Sequence, residues 1–298
     1  MNVAISGAGG FVGGALSRAL RRDGVTVLRI ARGADADIRW DPVQKTIDAR
    51  ALDGADAVVN LAGAPIARRW TAARKREIRE SRVTLTSLIA RAVASQARPP
   101  AVLVSASAIG YYGDRGDEVL TEASAPGSGF LAGVVCDWEA ATSAAQNADV
   151  RTVVLRTGIV LARHGGALAK MVPPFWFGVG GPLGHGRQWM SWIALDDAVR
   201  AIRFVMERDV RGAVNVVAPQ PVTNAEFSHA LGRALSRPAF VRAPAFTLRA
   251  LFGEMASETA LASQRVMPAR LVAAGFTFDA PALDGALDGA LRRALHRA

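Results

Sequence analysis

One stretch at the start of the chain leaves little freedom of fold: NVAISGAGGFVGG, residues 2–14. Val3, Ala4 and Ile5 form an apolar run that stops at glycine, and an alanine-rich helical pattern follows over 15–22. Between them Gly7, Gly10 and Gly13 recur at every third position. This pattern predicts a buried strand, a tight turn and the first turn of a helix. Gly7 permits a positive φ in the turn. Gly10 lets the backbone approach a ligand, and Gly13 lets the helix pack closely on the strand. The free N–H groups at such a helix start, aligned with its dipole, suit a pyrophosphate. The spacing is G-x-x-G-x-x-G, because the third glycine of the commoner G-x-G-x-x-G would fall at Val12. A glycine turn of this kind also occurs in other α/β domains, so the later segments decide the reading.

Residues 25–30 (VTVLRI) predict the second strand, and Arg32 comes just after it. In a dinucleotide-binding fold, an acidic residue at the end of this strand holds the adenosine ribose hydroxyls, whereas a basic one accommodates a 2′-phosphate. Arg32 therefore points to NADP(H) rather than NAD, with Arg29 as a helper. Residues 38–41 (IRWD) predict a short extended stretch. Residues 57–61 predict a further apolar strand running into Ala62 and Gly63, small enough for a cofactor to lie against the backbone. A long helix is expected over 70–97, with Ile78, Val83, Leu85, Leu88, Ile89 and Val93 on its apolar face and Pro99 and Pro100 at its end.

Residues 101–105 (AVLVS) predict the next strand, leading into SASAIGYYG at 105–113. Hydroxyl side chains crowded at the ligand-facing edge of a parallel sheet mark Ser105, Ser107, Tyr111 and Tyr112 as candidate site residues. A helix is expected over 129–148 and one buried strand over 151–161. Strands alternating with helices predict an α/β doubly wound parallel sheet, the Rossmann arrangement.

The texture changes after residue 161. Residues 165–186 are rich in glycine, proline and aromatics, which predicts a long irregular segment shaping a binding site. A strand is expected over 189–195, a helix over 196–206 and a strand over 213–217. Thr223 and Glu226 have the spacing of a capping box. The remainder is alanine-rich and predicts a smaller, mostly helical C-terminal lobe. The expected division is 1–170, with 187–220 returning to it, as the dinucleotide-binding domain; 171–186 and 221–298 form the smaller substrate lobe.

With half of its 298 residues hydrophobic, the chain can bury a large core. It has no apolar run near the ~20 residues needed to cross a bilayer. No basic region precedes an apolar stretch at its start, so no secretory signal is expected. Cys136 is the only cysteine, which excludes an intramolecular disulfide and argues against a Cys-based metal site. These features predict a cytoplasmic protein with no membrane partner and no metal. The net charge of +10 comes from basic residues spread along the chain, which favours a solvated surface with local phosphate contacts over nucleic-acid binding.

Seven segments, in order, carry a resemblance: SGAGGFVGGAL (6–16), VNLAG (59–63), RRWTAARKREIRESR (68–82), SAIGYYG (107–113), LRTGIVL (155–161), GGPLGHGRQWMSWI (180–193) and GFTFDAPAL (275–283). Together they resemble the extended or atypical short-chain dehydrogenase/reductases of the NAD(P)-dependent epimerase/dehydratase superfamily. More narrowly, they resemble the "epimerase family" group that carries an extra C-terminal domain of unknown function. The resemblance implies that Gly7, Gly10, Phe11, Val12 and Gly13 surround the pyrophosphate and that Arg32 holds the 2′-phosphate. It implies that Leu61 and Ala62 line the adenosine side, that Glu77 and Arg82 contact the cofactor, and that Ile159 lies near the nicotinamide end. It also implies a homodimer through the long helices and, by analogy, a small polar substrate such as a nucleotide sugar.

The same resemblance calls for Tyr-x-x-x-Lys. A phenol titrating near ~10 is a poor base at neutral pH unless a nearby ammonium lowers that value. Ser107 fits the associated serine, but residues 130–139 (FLAGVVCDWE) contain neither tyrosine nor lysine. Two readings follow. In the first, the chain is an NADP(H)-dependent oxidoreductase or epimerase-like enzyme with atypical acid and base groups, Ser107 polarising the substrate oxygen and Tyr111, Tyr112 or water completing proton transfer. In the second, it is a non-catalytic NADP(H)-responsive binding or regulatory protein.

Overall fold

The computed structural model describes residues 1–292. β1 (Asn2–Ser6) leads into α1 (Phe11–Arg22), then β2 (Thr26–Ala31), β3 (Ile38–Asp41), β4 (Thr46–Ile47) and β5 (Ala57–Asn60). α2 (Ala72–Ala94) precedes β6 (Val102–Ala108), β7 (Val119–Leu120), α3 (Phe130–Ala140) and α4 (Ser143–Asn147). There follow β8 (Arg151–Thr157), β9 (Ile159–Ala162), β10 (Gly165–Gly166), α5 (Leu168–Trp176), β11 (Trp189–Met190), β12 (Trp192–Ala194), α6 (Leu195–Glu207) and β13 (Gly212–Val216). The described chain continues through β14 (Val222–Thr223), α7 (Asn224–Leu235), α8 (Ala245–Phe252), α9 (Glu254–Glu258), β15 (Arg265–Val266), α10 (Ala269–Ala273) and α11 (Leu283–Arg292).

The main sheet has the order β13-β8-β6-β5-β1-β2-β3-β4. All its neighbours are parallel except β3 with β4. From β1 the chain builds outward through β2 and β3, then returns to lay β5 on the other side of β1. That reversal opens a crevice at the carboxyl ends of β1 and β5. The doubly wound parallel sheet expected from the sequence is therefore the one observed.

Successive strand residues face opposite layers. Val3 and Ile5 pack with Leu16 and Leu20 of α1 and with Ile202 and Val205 of α6. Ala4 faces the other way, toward the cluster holding Leu85, Ile89 and Val93 of α2. Helices thus cover both faces, which is why these strands read as continuous apolar runs. A third cluster gathers Leu168, Val172 and Phe175 of α5, Phe227 and Leu231 of α7 and Leu287 of α11 around Trp192. It is the core of the mostly helical C-terminal region. Leu271 and Phe276 join the main core instead, where α10 packs beside β13.

Five local expectations change. The single strand expected over 189–195 is two, β11 paired with β14 and β12 paired with β9. The single strand expected over 151–161 is also two, β8 in the main sheet and β9 paired with β12. Gly158 marks the break: a Cβ there would lie 2.6 Å from the Ser191 carbonyl oxygen and 2.7 Å from Val217. The 165–186 segment is not irregular throughout, since α5 forms despite Pro173 and Pro174. Burial of Leu168, Val172 and Phe175 outweighs the lost N–H bonds. The helix expected over 129–148 divides at Thr142, whose hydroxyl donates to the Glu139 carbonyl at 2.7 Å. β6 runs on past Ser105 to Ala108, paired with β8, so Ser107 lies inside the strand rather than after its end. The capping box at Thr223 and Glu226 forms as expected.

Candidate functional site

The glycine turn after β1 sits at the crevice. Gly7 has φ +71°, and a Cβ there would be 2.9 Å from the Leu61 carbonyl carbon. A Cβ at Gly13 would lie 2.1 Å from the Gly7 carbonyl oxygen, and one at Gly10 would lie 3.0 Å from the same atom. Gly9 has no atom within 4 Å of that position, so the repeat that matters to the chain's own packing is 7, 10, 13. Gly10 is the N-cap of α1, and neither a capping side chain nor an acidic residue of the first turn serves the helix start. The N–H groups of Phe11, Val12 and Gly13 precede any intrahelical partner. They form an anion cradle of the kind a pyrophosphate fits. The Phe11 ring turns away to close on β10, where a Cβ at Gly165 would be 2.4 Å from it. Val12 packs on the main core.

Below the crevice runs a buried polar chain. Ser6 Oγ donates to Asn60 Oδ1 at 2.5 Å, and the N–H groups of Leu61 and Ala62 donate back to Ser6 Oγ at 3.2 and 3.3 Å. Asn60 Nδ2 reaches Thr86 Oγ1 at 2.7 Å and Ser105 Oγ at 3.3 Å, and Trp138 Nε1 also donates to Thr86 at 2.9 Å. These bonds hold the ends of β1, β5 and β6 together. They place Ser105 in the floor of the site, fully buried. Asn60, central to the chain, was visible only as a polar residue ending an apolar strand.

Arg32 is exposed just beyond β2 and forms no side-chain hydrogen bond or ion pair among the described residues. Arg29 is engaged, paired with Asp35 at 2.8 Å. Arg82 lies beside Gly63, its Cζ 3.3 Å from where a Cβ would stand. It donates to the carbonyls of Ile78 and Ala64 at 3.0 and 3.1 Å and lies over the Trp138 ring at 5.1 Å. No carboxylate pairs with it among the described residues. Burial, and secondarily Arg74, lowers its pKa to about 10. A half-buried cation whose hydrogen bonds go to carbonyls is charge that an anion would suit. Glu77 pairs with Arg74 at 2.5 Å on the same helix and is 55% exposed. Ile159 opens β9, its N–H bonded to the Ser191 carbonyl at 2.9 Å.

Further along β6, Ser107 Oγ donates to Glu139 Oε1 of α3 at 2.6 Å. Arg156 of β8 grips both oxygens of Glu139 at 2.8 Å and also donates to Tyr112 Oη at 3.2 Å. Tyr112 is fully buried and donates to Asn215 Oδ1 at 2.7 Å. Burial opposes the charge on Arg156, but its bonds to Glu139 and Tyr112 win and raise its pKa. Burial raises that of the Tyr112 phenol. The Tyr111 ring stacks on the Arg156 guanidinium, 3.4 Å from Cζ to centroid. The single Ser107 proton is committed to Glu139, so toward any further group Ser107 is an acceptor.

Glu139 and Arg156 were missed from sequence. Their signal was a charge inside the apolar run RTVVLRT, which needs a buried partner. Where a Tyr-x-x-x-Lys pair is absent, Leu131 and Val135 of α3, one turn apart, face Gly110 at 3.6 and 3.9 Å from its Cβ position, and both are buried. No group of His, Cys, Asp or Glu suited to a metal occurs among the described residues.

Residues 3–217 match the NAD dependent epimerase/dehydratase family, and 243–290 match a domain of unknown function, DUF1731. The chain belongs to the NAD dependent epimerase/dehydratase family. Within that family it is 48% identical over 281 residues to an epimerase family protein of Mycobacterium bovis, covering 93% of each chain. It superposes on the human epimerase family protein SDR39U1, whose crystal structure was determined with NADPH, with a TM-score of 0.90 and 35% identity over 98% of this chain and 99% of that one. A nucleoside-diphosphate sugar epimerase of Corynebacterium glutamicum matches at 36% identity and a TM-score of 0.80, covering 98% of this chain and 58% of that one.

Proposed function

We propose that this family member binds NADP(H) in the crevice between β1 and β5 and acts on a small polar substrate, with a nucleotide sugar the class favoured by family likeness. The observation that carries the reading is the uncapped start of α1, walled by Gly7 and Gly13, with the unpaired Arg32 beyond β2. The human relative solved with NADPH supports the same choice of nucleotide. In this reading the N–H groups of residues 11–13 hold the pyrophosphate and Arg32 the 2′-phosphate. Leu61, Ala62 and Gly63 line the adenosine side, Glu77 and Arg82 contact the cofactor, and Ile159 borders the nicotinamide end. A nicotinamide bound there supplies or removes hydride.

The residues around Ser107 define what proton chemistry is open. With its own proton on Glu139, Ser107 receives an O–H from the substrate rather than donating to a carbonyl, a reversal of the polarising role expected from the sequence. Tyr112 is bonded at its hydroxyl to Asn215 and Arg156, which leaves Tyr111 or water for proton transfer. A second reading, an NADP(H)-responsive binding protein without turnover, draws on the apolar pair Leu131 and Val135 in α3. Incubation with NADPH or NADP+ and a panel of sugar nucleotides and small alcohols and ketones separates the two, read at the absorbance of reduced nicotinamide. Turnover with any of them supports the enzyme; tight nucleotide binding with none supports the regulator. The substrate lobe of 171–186 and 221–298, of which 293–298 lie outside the described residues, cytoplasmic residence and a homodimer through the long helices remain part of this proposal.

A further inference from the structure

The exposed aromatic side chains of this protein are concentrated in one region. Trp176, Phe177, Phe240, Phe246 and Phe252 are all at least 41% exposed, and Phe177, Phe240 and Phe246 reach 82%, 75% and 74%. The two segments that carry them run side by side. The Val241 N–H donates to the Gly180 carbonyl at 3.2 Å, the Ala243 N–H to the Pro182 carbonyl at 2.9 Å and the Gly184 N–H to the Ala243 carbonyl at 2.8 Å. This pairing brings the loop after α5 against the segment before α8. α8 itself (AFTLRALF) has no buried residue, an unusual state for so apolar a helix.

Within the two segments the charges have one sign, and the carboxylate of Glu254 just after α8 is paired with Lys75. Residues 163–195 and 227–253 contain no aspartate or glutamate, while Lys170, Arg187, Arg242 and Arg249 are exposed among them. Elsewhere in the chain acidic and basic residues are interspersed, with pairs such as Arg203–Asp23 and Arg115–Glu118. Aromatic and aliphatic tips set among cations are the signature of a surface that lies on an anionic bilayer. A second copy of the chain fits less well, because a two-fold contact here would oppose cation to cation. Single-stranded nucleic acid would use the aromatic faces but not exposed Val179 and Leu251, which are 57% and 60% exposed.

We propose that the face formed by the loop after α5, the segment before α8 and α8 itself docks on an anionic lipid surface. The contact is peripheral: among the described residues no helix is long and apolar enough to cross a membrane, and none is needed. This departs from the sequence expectation of no membrane partner, which rested on the absence of a spanning segment. The proposal stands independently of the nucleotide reading.

The test is co-sedimentation of the full chain with vesicles of equimolar phosphatidylglycerol and phosphatidylcholine, against vesicles of phosphatidylcholine alone. The expected result is partitioning onto the anionic vesicles at least roughly tenfold stronger, lost at high salt. A Phe177→Ser, Phe240→Ser double variant and an Arg242→Glu, Arg249→Glu double variant should each lower it by about tenfold or more. Circular dichroism and the urea denaturation midpoint serve as controls that the variants remain folded. No preference for anionic vesicles, or equal partitioning by folded variants, overturns the proposal. So does a dimer in light scattering, or retention on single-stranded DNA, that these substitutions abolish while vesicles leave the wild type in solution.

Discussion

Replacing Gly13 by alanine should destabilise the fold, although alanine is the better helix former. In an unconstrained helix the exchange would gain about 1 kcal/mol. Here the new Cβ would stand 2.1 Å from the Gly7 carbonyl oxygen and 2.8 Å from its carbon, both backbone atoms of a turn that itself abuts Leu61. Ordinary contact begins at 3.4 Å, so α1 must retreat from β1 by about an ångström. Overpacking against rigid backbone costs about 1–3 kcal/mol, and this contact is at the severe end. After the propensity gain, a net loss of about 2 kcal/mol remains. Urea denaturation should show a lower midpoint with an unchanged m-value. Gly9→Ala is the internal control: open space surrounds its Cβ position, so stability should stay within about 0.5 kcal/mol. Nucleotide affinity should fall for Gly13→Ala as the cradle shifts. A Gly13→Ala protein as stable as the wild type would refute the account of this turn.

Further outcomes follow from the buried network. Glu139→Ala leaves Arg156 buried without its carboxylate, and the loss should be about 3–5 kcal/mol by the same denaturation assay. Burial raises the folded-state pKa of Tyr112 above the value of 10.0 that it has in the unfolded chain. Between those two values the unfolded chain releases a proton that the folded one keeps, so stability falls as pH rises above about 10. Tyr112→Phe should remove that part of the slope, seen in denaturation midpoints across alkaline pH, and Tyr111→Phe should retain it. Thr223→Ala removes the hydroxyl that caps α7 and should cost about 1 kcal/mol in the thermal or urea transition.

How much could be read in advance depended on the range of the interactions. The glycine turn, the alternation of strands and helices and the capping box at Thr223 are local, so spacing alone exposed them. Gly158 went unread, because a strand was expected to run straight through it and its meaning lay in Ser191 and Val217, which no local pattern ties to it. The helix through Pro173 and Pro174 went unread because tertiary burial overrode propensity. The assembly of Ser107, Glu139 and Arg156 draws on β6, α3 and β8. The carboxylate of Glu258 reaches the N–H groups of Phe130 and Leu131 at 2.8 and 2.7 Å from far along the sequence. Such pairs need the sheet order before they can be matched.

Calorimetric titration of the purified chain with NADPH and with NADH, repeated on Arg32→Asp, tests the central claim most directly. The expected result is heat of binding with NADPH, weaker binding of NADH, and an NADPH affinity that falls much further than that of NADH when Arg32 is exchanged. No heat with either nucleotide, or an equal loss for both in the variant, would contradict it.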